Sequence, residues 1–155
     1  MTFTIRPLEP GDRQAWDPLW AAYLEFYETV LDPAVTAMVW TRMADPAERV
    51  HAFGAFASTD DPSSLLGFSH FLFHPATWTV TSYCYLEDLF TSEAARGHGV
   101  GRALVAATEG AAREGGASKL YWHTDTTNTT ARALYDQVAR HDGVIVYEKD
   151  LPART

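Results

Sequence analysis

One cysteine, Cys84, occurs among the 155 residues, so no internal disulfide can form and no cysteine-based metal site is available without other ligands. Basic residues are in short supply too: twelve Lys and Arg stand against twenty Asp and Glu, a net charge of -8. That balance argues against non-specific binding to nucleic acid or to an anionic membrane, and it suits a cationic partner. Long apolar runs are missing as well. Residues 1–25 lack a basic start followed by an apolar stretch, and the longest uncharged segment, 62–86, is broken by Pro75, two His and many hydroxyl side chains. The expectation is a cytoplasmic protein with no signal peptide and no membrane span. The six His show no i, i+4 pair at helical spacing, and no metal is expected.

With 46% hydrophobic residues, five Trp and eight Phe, the chain can fill one core, and a single domain over 1–155 is expected. Asp-Pro occurs at 17, 32, 45 and 61, each a boundary or kink, since the carboxylate caps free N–H groups while proline fits a first helical turn. Apolar periodicity predicts helices near 12–30, bent or restarted at Pro18, and near 33–44. "TFTIRPL" alternates like a strand, "VHAFGAFA" (50–57) and "SLLGFSHFLF" (64–73) read as a hairpin, and 79–91 is a third long strand. A helix follows from Val100, then a strand at 119–124, a helix at 128–140 opened by Asn128, and a final strand at 144–151. This order specifies an α/β domain with a mixed sheet.

The most informative stretch is "EAARGHGVGRAL" (93–104), in which a strand ends, three glycines pass, and a helix begins at once. Helix-start N–H groups lack partners and lie at the positive end of the dipole, so glycine backbone with Arg96 and Arg102 makes an anion site. Spacing excludes two nucleotide classes. A Walker loop needs Lys-Ser/Thr after its last glycine, where Arg102-Ala103 stands, and GxGxxG or GxGxxA fails in both frames, at Arg102 and at Leu104.

Arg96-x-x-Gly99-x-Gly101 resembles the Arg/Gln-x-x-Gly-x-Gly/Ala signature of the GNAT superfamily of N-acetyltransferases. "TFTIRPLEPGD" looks like the first strand and turn of that family, "YLEDLFT" like its fourth strand, and "NTTARALYDQV" like its Asn-x-x-Ala-x-x-Leu-Tyr helix. The run from Leu120 to Leu151 looks closest to the branch of histone-and-other-protein and polyamine-type acetyltransferases. Where many members carry Gly-Phe soon after that helix, this chain has Gly143-Val144.

The resemblance implies a mixed, mostly antiparallel sheet flanked by helices, with the fourth and fifth strands splayed around acetyl-coenzyme A, the acyl donor. The cofactor-binding set it implies is Leu89, Phe90 and Thr91 on the fourth strand, Arg96, Gly97, His98, Gly99, Val100, Gly101 and Arg102 in the loop, and Asn128. The loop would grip the pyrophosphate, and backbone groups of Leu89 and Thr91 would pair with the pantetheine arm. The Leu89 N–H would stabilise the oxyanion formed as the amine attacks, an effect of about 3–4 kcal/mol.

The acceptor sets its own demand. Freeing an amine of ordinary pKa from its proton at neutral pH costs about 4.6 kcal/mol. By resemblance Glu87 takes that proton, directly or through water, and Tyr135 supplies one to the departing thiolate. A strand places Glu87 and Asp88 on opposite faces, and alternation leaves open which faces the cofactor. His123 is the alternative proton acceptor, whereas Cys84 reads as a buried thiol. Trp16, Trp20, Tyr23 and Tyr27 form a helical stripe that is mainly core, with Glu25, Glu28 and Asp32 beside it, an arrangement suited to an ammonium ion.

The expected activity is direct acetyl transfer in a ternary complex to a primary amine: a polyamine or a lysine in a basic context first, an amino acid next. A non-catalytic acyl-coenzyme A binding domain on the same fold is the alternative. A homodimer accords with the family's habits.

Overall fold

The computed structural model describes residues 1–151. Its elements run β1 (Thr4–Pro7), α1 (Arg13–Phe26), α2 (Pro33–Ala44), β2 (Val50–Phe56), β3 (Leu65–Pro75), β4 (Ser82–Thr91), α3 (Val100–Glu114), β5 (Ala117–Tyr121) and α4 (Thr129–Val138). Packing divides the described residues into two units, 1–123 and 124–151. In the first, one sheet has the order β1-β2-β3-β4-β5. β1 to β4 pair antiparallel, and β5 joins β4 in parallel after the crossover through α3, as a parallel pair requires.

Local chemistry explains most boundaries. Asp32 accepts from the Ala34 N–H at 2.8 Å and Pro33 occupies the first turn, so α2 starts where the Asp-Pro pair predicts. Asp17-Pro18 behaves differently: α1 continues through Pro18 without a restart. An interior proline costs a helix about 3 kcal/mol. Trp16 and Trp20, on either side of it, are both buried, and a buried Trp contributes about 3–5 kcal/mol, so the tertiary term wins.

The sheet is covered on both faces. Trp16, Trp20, Trp40, Phe56, Leu65, Phe68 and Phe90 form the core beneath α1 and α2. Ala55, Ala95, Val100 and Leu104, with Phe71, Cys84 and Ala112, form the core beneath α3. Two polar links, one part-buried and one buried, add to this packing. Arg6 grips Asp12 through two nitrogens at 2.6 and 2.9 Å while lying over the Phe56 ring, and the Ser69 and Thr108 hydroxyls meet at 3.1 Å.

Two expectations need correction. The fifth strand spans Ala117–Tyr121 rather than 119–124, because Gly116, at φ +73°, turns the chain straight from α3 into the strand. The strand expected at 144–151 does not form. Those residues have no regular structure, and Val144, Ile145, Tyr147 and Leu151 are exposed. Alternating apolar residues supply strand propensity, but a strand exists only where a neighbour completes its ladder, and no described strand pairs with this segment.

Candidate active site

The site begins with an interrupted strand pairing. β5 accompanies β4 from Ser82 only as far as Tyr85, opposite Tyr121. Beyond that point β4 continues to Thr91 with β3 alone. The Ser92 N–H donates to the Leu66 carbonyl at 2.8 Å. Antiparallel hydrogen-bonded pairs alternate, so Phe90 engages Phe68 of β3 in the same way. Leu89 and Thr91 therefore turn their N–H and C=O groups to the other edge of β4, the one β5 has left.

The glycine loop follows directly. After a single helical turn at Glu93–Ala95 come Gly97 at φ +76° and Gly99 at φ +85°, and α3 starts at Val100. A side chain on either glycine would be strained by about 1–2 kcal/mol. A Cβ there would meet nothing within 4 Å, so the glycines serve the backbone path and leave the space above it open. Gly101 differs, lying in the first turn of α3 without a positive φ. The first intrahelical bond runs from Ala103 N–H to the Gly99 carbonyl, which puts the N–H groups of Val100, Gly101 and Arg102 in the unpaired first turn of the helix. The His98 Nδ1–H donates to the Arg96 carbonyl at 2.9 Å and shapes the loop. Arg96 and Arg102 are both solvent-exposed. Open glycine backbone, a helix start and two arginines fit an anionic group such as a pyrophosphate. Beside the loop, a cleft of about 350 Å³ is lined by Leu19, Ala22, Glu25 and Phe26 of α1 together with Phe90 and Arg96.

The middle of β4 departs from simple alternation. His70 of β3 faces Asp88 and Phe71 faces Leu86, so Glu87 is the extra residue of a β-bulge. The strict alternation from which opposite faces were expected for Glu87 and Asp88 is interrupted at this point. Phe71, and with it Leu86, belongs to the α3 side, whereas Asp88 reaches Tyr23 and His70 on the α1 side. Glu87, the extra residue between them, stands next to Asp88 at a point where alternation no longer fixes its face.

Around the bulge runs a chain of hydrogen bonds. Trp16 Nε1–H donates to His70 Nε2 at 3.0 Å, His70 Nδ1 lies 2.9 Å from Asp88 Oδ2, and the Tyr23 hydroxyl donates to Asp88 Oδ1 at 2.6 Å. Burial, then the charge and hydrogen bond of Asp88, hold the Tyr23 phenol far above its usual range, so it stays protonated and donates. Glu87 has an exposed side chain, yet the protein around its carboxyl pushes it up, first by desolvation and next by the Asp88 charge. This is the direction that suits a proton acceptor.

Other expected residues are dispersed. His123 is exposed, its Nδ1 3.3 Å from the Tyr85 hydroxyl at the point where β4 and β5 part. Phe90 directs its backbone to β3 and its ring into the α1 core. Cys84 is fully buried, and burial raises its thiol to about 11, which makes it inert at neutral pH. Asp32 spends its carboxylate on the α2 cap, and Glu25 lines the cleft, so the three acidic groups near the aromatic stripe do not form one cage. In the second unit, Asn128 caps α4 through the Ala131 N–H at 3.2 Å, and Tyr135 is half-buried on the same helix. Among the described residues, no group of three or more His, Cys, Asp or Glu could hold a metal, and no helix is long and apolar enough to cross a membrane.

The linking of Trp16 to His70 and of Tyr23 to Asp88 escapes sequence reasoning, since the partners are 54 and 65 residues apart. One signal was present: a histidine amid the apolar residues of "GFSHFLF" must find polar partners if it is buried.

Comparison with known proteins gives the family and the fold. The family model for the acetyltransferase (GNAT) family matches residues 14–139. The chain is 36% identical over 146 residues to the D-amino-acid N-acetyltransferase HPA3 of Saccharomyces cerevisiae, covering 94% of this chain and 89% of that protein. It is 26% identical over 153 residues to the uncharacterized N-acetyltransferase YhfO of Bacillus subtilis, covering 97% and 99%. Among solved structures, the ribosomal-protein-alanine N-acetyltransferase of Brucella melitensis superposes with a TM-score of 0.78 at 22% identity, over 97% of this chain and 100% of that one. AAC(6')-Iy in complex with a bisubstrate analog of coenzyme A superposes with a TM-score of 0.77 at 19% identity, with the same coverage. The chain belongs to the GNAT family and is an acetyl-coenzyme A dependent N-acetyltransferase.

Proposed function

We propose that the chain acetylates the primary amine of a small molecule by direct attack on acetyl-coenzyme A in a ternary complex, with an amino acid as the leading acceptor. The observation that carries the donor side is the open edge of β4 leading into the glycine loop. Leu89 and Thr91 present backbone groups where a pantetheine arm would pair, and the first turn of α3, with Arg96 and Arg102, lies where a pyrophosphate would dock. In this reading Glu87 accepts the ammonium proton, and Tyr135, with Asn128 on the same helix, serves the thiolate end of the reaction. The raised affinity of Glu87 for a proton supports its role.

The acceptor assignment rests on the 36% identity to a D-amino-acid N-acetyltransferase. A polycationic acceptor is the second reading, favoured by the net charge of -8 and by Glu25 in the cleft. Thiol release from acetyl-coenzyme A, measured over D- and L-amino acids, polyamines, aminoglycosides and basic peptides, separates the two. Amino acids should lead; a clear lead for polycations transfers the assignment to the second reading. Tyr135→Phe should lower turnover much more than it weakens acetyl-coenzyme A binding, and equal activity would reduce Tyr135 to a packing residue.

A further inference from the structure

The hydrogen-bond chain beside Glu87 admits one arrangement of protons. An indole N–H can only donate, so His70 Nε2, 3.0 Å from Trp16 Nε1, must accept. The single ring proton of His70 is then on Nδ1 and donates to Asp88 Oδ2 at 2.9 Å, while Asp88 Oδ1 accepts from Tyr23 at 2.6 Å. The surroundings hold each ring in place. Trp16 stacks on Trp20 with centroids 5.3 Å apart, and His70 stacks on Phe68 at 4.5 Å. The His70 side chain is 2% exposed and that of Asp88 15%.

A phenol and a neutral imidazole orient a carboxylate without cancelling its charge, as a salt bridge would. Nor can this imidazole relay a proton, because taking one at Nε2 would break the bond to Trp16. We propose that Asp88 is a positioning residue for acetyl transfer: Tyr23 and His70, the latter locked in one tautomer by Trp16, clamp a fixed negative charge beside Glu87 on the β4 bulge. The inference rests on Glu87 being the group that takes the acceptor's proton. The proton passes from the ammonium to the Glu87 carboxylate, and none moves within the clamp. The titratable groups acting on Glu87 are Asp88 of its own strand and His70 of β3, with Tyr23 and Tyr27 of α1 behind Asp88. Asp88 strengthens the hold of Glu87 on a proton, and a neutral His70 leaves that charge uncancelled.

The test combines rates with spectra. In the unaltered protein, nitrogen-15 shifts of His70 should show Nδ1 protonated and Nε2 bare at neutral pH; an Nε2–H tautomer or an imidazolium overturns the clamp, and this measurement needs no variant. In Asp88→Asn, the carbon-13 titration of the Glu87 carboxyl should move to lower pH and kcat should fall about tenfold, with little change in acceptor KM. Trp16→Phe should mix the His70 tautomers. An unmoved Glu87 titration in Asp88→Asn, or a loss confined to KM, overturns the proposal. The underlying reading is checked separately by Glu87→Gln. If that variant keeps the normal rise of rate with pH, Glu87 is not the proton acceptor and the inference falls with it. If it flattens the rise while Asp88→Asn leaves the Glu87 titration in place, only the role of Asp88 falls.

Discussion

The two halves of β4 are built from one strand and behave as two different devices. From Ser82 to Tyr85 it has a neighbour on each edge, and the surrounding side chains interlock: Tyr85 stacks on Tyr121 at 5.0 Å, the Tyr121 hydroxyl bonds His74, and Cys84 is sealed below. From Leu86 to Thr91 the strand keeps β3 alone, gains a bulge at Glu87, and turns every second pair of backbone groups to an edge without a strand. In the first half the backbone polar groups are used up by the fold. In the second they remain available to a ligand, and the rigid first half holds them in position. Sheet hydrogen bonding is thus complete in one stretch and left open on one edge in the next, according to where β5 stops, and the open edge is where the proposed function seats the pantetheine arm.

The sharpest way to break this contrast is at the bulge. Glu87→Gln should lower kcat about 100-fold or more while acetyl-coenzyme A binding persists, as read by thiol release and calorimetry. It should also change stability in a pH-dependent way. Because the folded protein holds the Glu87 proton more tightly than the unfolded chain does, ionising this group costs folding free energy once the pH rises through its folded value. Glu87→Gln should therefore match the parent in acid and exceed it at neutral pH in denaturant midpoint.

A proline pair sharpens the edge comparison. Leu89→Pro removes an N–H on the open edge and should fold with a loss of about 1–2 kcal/mol while activity falls about 100-fold; Phe90→Pro removes a ladder bond and a buried ring, and should cost about 5 kcal/mol or more. Equal destabilisation by the two would show that both edges of this half are structural. Next in size, Arg96→Ala with Arg102→Ala should weaken coenzyme A binding about tenfold at low salt, with the difference from the parent shrinking as salt rises. Gly99→Ala is the smallest, costing about 1 kcal/mol at φ +85° by thermal unfolding.

Much of this was legible because it depends on near neighbours in the chain. The α2 start at Asp32-Pro33, the Asn128 cap of α4 and the glycine loop ahead of α3 each follow from the chemistry of a few adjacent residues. The continuation of α1 through Pro18 was less legible, since a core of three tryptophans brought from two helices outweighs the local penalty. The segment 144–151 shows the same limit from the other side, with strand-like alternation and no ladder to join.

By itself, then, the sequence determined most of the element types, the glycine loop ahead of α3 and the family, because periodicity, caps and glycine spacing act over a few residues. Tertiary structure decided that β5 leaves β4 at Tyr85, that a bulge at Glu87 breaks the alternation of β4, and that Asp88 is held by Tyr23 and His70. Register and long-range hydrogen bonds depend on which strands and helices meet, and a one-residue change in pairing moves a side chain from one face of a sheet to the other.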